Sequence, residues 1–408
     1  MTRTTTKVSG YAAALVALAL FTACLPNPPV AAGQPATPPQ AQPTPAAAAT
    51  AVVLPATYTP PAPATDAPNQ PIVATQAILP THIGEGGFAP NINPLTGLPV
   101  ADPRLLERRP LMVKVSNFPR EGRPHAGLSF ADMVFEYYIG WIYGGNRFLA
   151  IYYGQDAPKV GPIRSGRLVD RQLVSMYHGI LAYGGADDRV DPDLETELGK
   201  YAISSKTSSC PPICRLDDNT VYSTFTDTTS LSQYATQRGL ENGRQNLTGL
   251  HFDPAIPQGE SGLQFGAQYA SYIRSEWLYN PETGKYLRWS EKNDQLEMEG
   301  LVDRLTGQQI AFDNLIVLFA FHIEYKLSLH DIELWNNTRG GRAVFFRNGQ
   351  IVEGVWRSAG HERPLQFLNK DLSPYALKPG TTWTVLAGIG STFNQVAPGR
   401  WNLMFDLP

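Results

Sequence analysis

The 408-residue chain has few cysteines, few charges and no familiar catalytic signature. It holds three cysteines and seven histidines, and 17% of its residues are charged. None of the histidines sits in an HExxH motif or beside a cysteine at zinc-ligand spacing, so no metal site is expected. No G-x-S-x-G elbow occurs, and Gly184-Gly185 is neither a dinucleotide fingerprint nor a P-loop. No cofactor is implied. A formal net charge of −3 gives no electrostatic support to nucleic-acid binding. What remains is 43% hydrophobic residues with eighteen Tyr, seventeen Phe and seven Trp, ample for a globular core.

Residues 1–24 read as a secretory leader. Arg3 and Lys7 precede an apolar run, residues 8–21, too short to span comfortably as a mature helix. Leu20-Phe21-Thr22-Ala23-Cys24 resembles a lipobox, which would leave Cys24 as an acylated N-terminus; an ordinary signal peptide or an uncut anchor is the alternative. Residues 25–82 are rich in Pro, Ala, Thr and Gln and carry no hydrophobic period, so they should not pack. At roughly 3.1 Å per residue such a tether reaches on the order of 100 Å or more. The expected location is extracytoplasmic, lipid-anchored to the cell membrane.

An α+β fold is expected beyond the tether: a mixed α/β domain with a βαβ core over residues 83–250, then a β-rich domain over 255–408. The core is RFLAIYYGQDAPKVGPIRSGRLVDRQLVSMYHGILAYGGADD, residues 147–188. Residues 147–154 form a near-continuous apolar run, the mark of a strand covered on both faces. Ser165 is placed to cap a helix from Gly166 to His178, with Val169, Leu173, Met176 and Tyr177 on one stripe. Residues 179–183 read as a second buried strand, and a right-handed crossover would bring both polar loops to one sheet edge. Residues 111–117 are a further strand. Ser129 is placed to cap a helix carrying Phe130, Met133, Val134 and Tyr137. With parallel strands, SNFPR, GPIRSGR and GGADD converge. Downstream, Asn348-Gly349 and the Asn280–Gly284 turn signal hairpins. Residues 314–325 and 381–387 read as strands, and 388–408 as an irregular tail. Cys210-Pro211-Pro212-Ile213-Cys214 reads as a local disulfide, a stiff loop poorly suited to metal.

Arg164 and Arg167 flank a helix start whose free N–H groups are already partly positive. One reading pairs them with an internal carboxylate, Glu136, Asp187 or Asp188; another gives them an external anion; a solvated surface is the third. On the second, Arg147, Arg164 and Arg167 supply charge, and Asn117, Ser165 and Asp187 orient polar groups. Ser165 has no evident base for a nucleophile role. Glu136 and Asp187 could form a glycosidase-type pair. His322 and Glu324 share a strand face, with His330-Asp331 shortly after.

NPLTGLPV, RPLMVKVSNFPREGRPHAGLSFADMVFEYY, GGNRFLAIYYG and KVGPIRSGR together resemble the YerB-like bacterial lipoproteins, over about residues 91–388. The resemblance implies a lipoprotein with a mixed N-terminal and a β-rich C-terminal domain, and no established activity. Tyr143 and Asn146 stand where that family usually has an acidic residue and a Thr, and Asp218-Asn219 where it has His-Asn. Three functions follow as expectations. The first is a binding module for an anionic envelope ligand, a wall glycopolymer or peptidoglycan fragment. The second is an envelope glycan hydrolase or transferase using Glu136 and Asp187, although no catalytic constellation is recognisable. The third is a protein-interaction scaffold built on the C-terminal domain.

Overall fold

Apolar strands dominate the chain, and two sheets carry it. The structure, a computed structural model, describes residues 83–407 apart from 85, 141–144, 218 and 327–328. The leader, Cys24, the 25–82 tether, Tyr143 and Asp218 lie outside the described residues. Among the described residues strands take 41% and helices 13%, so the fold is mostly β rather than evenly mixed.

The larger sheet has twelve strands. Four of them come early: β1 (Leu111–Ser116), β2 (Met133–Tyr138), β3 (Asn146–Tyr152) and β4 (Ile180–Tyr183). Its main order runs Gln366–Leu368, Gln350–Arg357, Gly341–Arg347, Asn314–Lys326, Thr382–Gly388, β2, β3, β1, β4, Ala202–Ser204. The late strand Thr382–Gly388 thus lies parallel between Asn314–Lys326 and the early β2. Segments before residue 250 and after 255 share one continuous hydrogen-bond ladder. The helix α1 (Leu168–Met176) packs on one face of β1–β4, through Leu168, Val169, Leu173 and Met176 against Met112, Phe135 and Tyr137. The opposite face, with Val113, Val134 and Phe148, meets the seven-stranded sheet at Phe265, Trp277 and Tyr286.

Three expectations need correcting. The helix expected after Ser129 is the strand β2, wholly buried at its first five positions. Cover on both faces removes the polar alternation that marks a strand, and the spacing of Phe130, Met133, Val134 and Tyr137 imitates a helix. The βαβ unit of parallel strands does not form either. β3 runs antiparallel to β1, whereas β4 runs parallel to it. An apolar run specifies a buried strand without specifying its direction. The 153–167 connection carries the chain back, bridging Val115 through Ile163 and bonding the Arg164 N–H to the Lys114 carbonyl at 3.0 Å. It still brings GPIRSGR to GGADD: the Gly166 N–H donates to the Gly185 carbonyl at 3.0 Å. Finally, the tail forms a hairpin, Thr392–Ala397 with Arg400–Met404. The Asn348-Gly349 hairpin forms with both residues at positive φ, 54° and 72°.

A chain ended at residue 250 would leave β2 without the neighbour Thr382–Gly388. Such a fragment is expected to show no cooperative urea transition and to be cleaved rapidly by trypsin, while residues 83–408 unfold in one step. A sharp, reversible transition in the fragment would overturn this.

Candidate functional site

Lys114 is the one charged residue of β1, and the strand is buried at all six positions. Strand alternation places it on the α1 side, since Val113 and Val115 belong to the opposite core. It has no exposed side-chain surface, and its Nζ lies 3.1 Å from Asp170 Oδ1 on α1. Nζ also bonds the Tyr137 hydroxyl, which itself donates to Asp170. Burial pushes the Lys114 ammonium down to about 7; Asp170 opposes this, while Arg147 and Arg167 add to it. Asp170 holds the start of the helix as well, accepting the Arg167 N–H at 2.7 Å. Arg167 is therefore the N-cap residue, two positions beyond the expected Ser165.

The arginines gather at that helix start. Arg147 lies on β3 opposite Tyr137 and Ser116, is 6% exposed, and donates through Nη1 to the Ser165 carbonyl at 2.8 Å. Arg167 Nη1 donates to the Gly166 carbonyl at 2.7 Å, and Arg164 Nη1 to the Val221 carbonyl at 3.2 Å. The Nε of each is buried without a hydrogen-bond partner. Burial, then Arg167 and Arg164, pull the Arg147 pKa well below its usual value. Among the described residues, Asp170 is the carboxylate ion-paired with Lys114, and Arg147 and Arg167 lie close enough to feel its charge. It is already engaged by Lys114, Tyr137 and the helix N–H. The remaining positive charge has backbone carbonyls for partners, and an anion would complete it.

The other candidates go elsewhere. Glu136 projects from the opposite face of β2 and has no exposed surface. Arg288 Nη1, Trp383 Nε1 and Asn146 Nδ2 donate to it at 2.8, 2.8 and 2.6 Å. The Arg288 guanidinium sits 5.0, 5.1 and 4.5 Å from the rings of Phe148, Trp277 and Trp383. Glu136 therefore neutralises Arg288, not Arg147, Arg164 or Arg167, because neighbouring strand residues face opposite ways. Asp187 bonds Arg189 at 2.7 Å on the surface, which holds its carboxyl well below the usual range. The structure does not join Glu136 and Asp187 as a pair. Asn117 donates to Asn146 at 2.7 Å and so belongs with Glu136. Ser165 contributes its carbonyl. Cys210 and Cys214 are disulfide-bonded. His178 closes the α1 turn at φ 49° and shares a 2.8 Å bond between Nε2 and the Glu362 carbonyl.

Lys114, Asp170 and Arg288 are not among the expected site residues, whereas His322 and His330, noted as near neighbours along the chain, do meet. The first two carried a signal: a lysine inside an apolar strand, and an acid three residues after Arg167, as in a capping box. Arg288 carried none. His322 Nδ1 and His330 Nε2 share a 2.8 Å bond, and His330 also meets Tyr138 edge-on.

Two measurements bear on these placements. Glu136→Ala would leave Arg288 charged and unpaired, so urea unfolding should show a loss of about 3–5 kcal/mol. Parental stability would mean the pair does not hold the layers together. Burial, with Arg167, lowers the His330 pKa from 6.5 to about 4, and His322 is lowered too. The unfolded chain then binds protons that the folded chain refuses, so the fold loses stability as pH falls from 6.5 through 4. A His322→Leu/His330→Leu variant should lose less stability than the parent between those pH values; an equal loss would contradict the assignment.

Residues 95–241 match the family described as "Protein of unknown function (DUF3048) N-terminal domain", and residues 265–384 match its C-terminal domain. A Bacillus subtilis (strain 168) protein named "Putative lipoprotein YerB" is 29% identical over 301 residues, covering 71% of this chain and 84% of that protein. The crystal structure of YerB from Bacillus subtilis superposes with a TM-score of 0.60 at 26% identity, covering 72% of this chain and 96% of that one. With both domain models matched in order and the fold shared, the chain belongs to the DUF3048 family of YerB-like proteins.

Proposed function

We propose that this protein is a lipid-anchored, extracytoplasmic binding module for an anionic envelope ligand, a wall glycopolymer or peptidoglycan fragment. The ligand binds at Arg147, Arg164 and Arg167. One observation carries the reading: at this helix start the buried Arg147 and the half-buried Arg164 and Arg167 all donate to main-chain carbonyls, and the Nε of each has no hydrogen-bond partner. Buried charge is costly unless it is paired, and among the described residues the direct ion pair at this helix start is Lys114 with Asp170, while Asp187, turned to Arg189, acts on Arg167 only from further off. The anchor rests on the leader, on Cys24 in its lipobox-like setting, and on the lipoprotein name of the Bacillus subtilis relative. The glycan-hydrolase alternative loses its motivation, because Glu136 is enclosed by Arg288, Asn146 and Trp383.

An Arg164→Ala/Arg167→Ala variant that keeps the parental circular-dichroism spectrum is expected to lose at least tenfold in affinity for purified wall material. Undiminished binding would sink the proposal.

A further inference from the structure

Past Ala320, its last residue paired with Thr382–Gly388, the strand Asn314–Lys326 continues as a two-stranded ribbon with Leu329–Glu333. The ribbon starts at the carboxyl ends of the parallel strands Thr382–Gly388 and β2, the edge where open parallel sheets place their ligands. His322 stands on one strand of it and His330 on the other, 1% and 3% exposed, with Nδ1 and Nε2 2.8 Å apart. Neither outer nitrogen, His322 Nε2 or His330 Nδ1, makes a hydrogen bond, although the Ala387 carbonyl lies near enough to His322 to favour a proton there. Buried polar atoms without partners call for an explanation. A pair of leucines would fill this space without stranding two nitrogens. Glu324 lies on the face of His322, two residues on, and directly opposite His330 in the ladder. Opposed residues have Cβ atoms roughly 4.5–5.5 Å apart, within a glutamate's reach of the rings. Its carboxylate is exposed, and among the described residues no ion pair or hydrogen bond holds it. Its charge is felt by Tyr138, whose ring meets His330 edge-on.

Nitrogens 2.8 Å apart, each about 2.0–2.1 Å from an ion, subtend an angle of about 86° at it. That is close to the right angle between neighbouring positions of an octahedron and well short of the tetrahedral angle. Two imidazoles and a carboxylate on one face of an octahedron leave the other positions to water or a ligand. Burial keeps both rings neutral, the form that binds metal. A main-chain carbonyl beside the ring is the usual outer partner of a metal-bound imidazole. Arg167, felt at His330, opposes a cation, and the Glu324 carboxylate offsets it. We propose that His322, His330 and Glu324 bind a divalent transition-metal ion in six-coordinate geometry. Among the described residues no three such side chains already close on one point, so Glu324 swings inward to complete the set. Spacing along the chain hides the site, because cross-strand register assembles it. It does not depend on the anion-binding reading.

The test uses the full chain purified in detergent, stripped with a chelator and titrated with Ni²⁺ and Co²⁺ by calorimetry at neutral pH. A single ion should bind per chain, and His330→Leu should abolish binding. Glu324→Gln should weaken it at least as much as loss of an outer-shell partner does, about tenfold. Because Glu324 is exposed, that variant keeps the test open if the buried histidine variant does not fold. The Co²⁺ complex should show the weak visible bands of a six-coordinate ion; intense tetrahedral bands would overturn the geometry assigned. Absence of binding, or binding that survives both substitutions unchanged, would overturn the site.

Discussion

Glu136 has no surface of its own, and a carboxylate in that position has to be neutralised within the protein. Arg288 does so from the other sheet, with aromatic rings around its guanidinium and Trp383 and Asn146 completing the carboxylate's hydrogen bonds. The contact fixes the facing distance of the two sheets and places Trp383, hence the strand Thr382–Gly388, beside β2. Replacing such a pair by apolar residues is often harmless, whereas separating it is not. Its value therefore lies in specifying which faces meet. On the next residue of β2, pointing the other way, Tyr137 joins Lys114 and Asp170. One strand thus serves two charge networks on opposite faces, and the order of its residues decides which charge goes where.

The two networks end differently. Around Glu136 the charges balance, with one acid and one base. At the start of α1 they do not, because Asp170 is spent on Lys114 while Arg147 and Arg167 rest on carbonyls. Main-chain carbonyls can orient a guanidinium but cannot cancel its charge. The arrangement also opposes the helix dipole, which is positive at that end. A fold that needed these arginines only for packing could have used uncharged side chains.

Legibility in the sequence followed the range of the interactions. Asn348-Gly349 was readable because two adjacent residues must adopt positive φ, a local demand. The disulfide was readable from spacing, and Arg164 and Arg167 from their place before an amphipathic stripe. The strand direction of β3 was not, since apolar side chains pack alike either way up. The residues of β2 imitate a helix, because burial on both faces leaves no polar period to read. The partner of Glu136 could not be found at all, because Arg288 lies 152 residues away and no local rule connects them.

The late arrival of Thr382–Gly388 has a consequence for biosynthesis. β2 leaves the ribosome about 250 residues before the strand that will flank it. At roughly 5–20 residues per second, its apolar edge is uncovered for about 12–50 seconds. During that interval the nascent segment presents unpaired main-chain donors and acceptors to any other chain nearby. The early half of the larger sheet therefore cannot close its hydrogen-bond ladder until nearly the whole chain has been made.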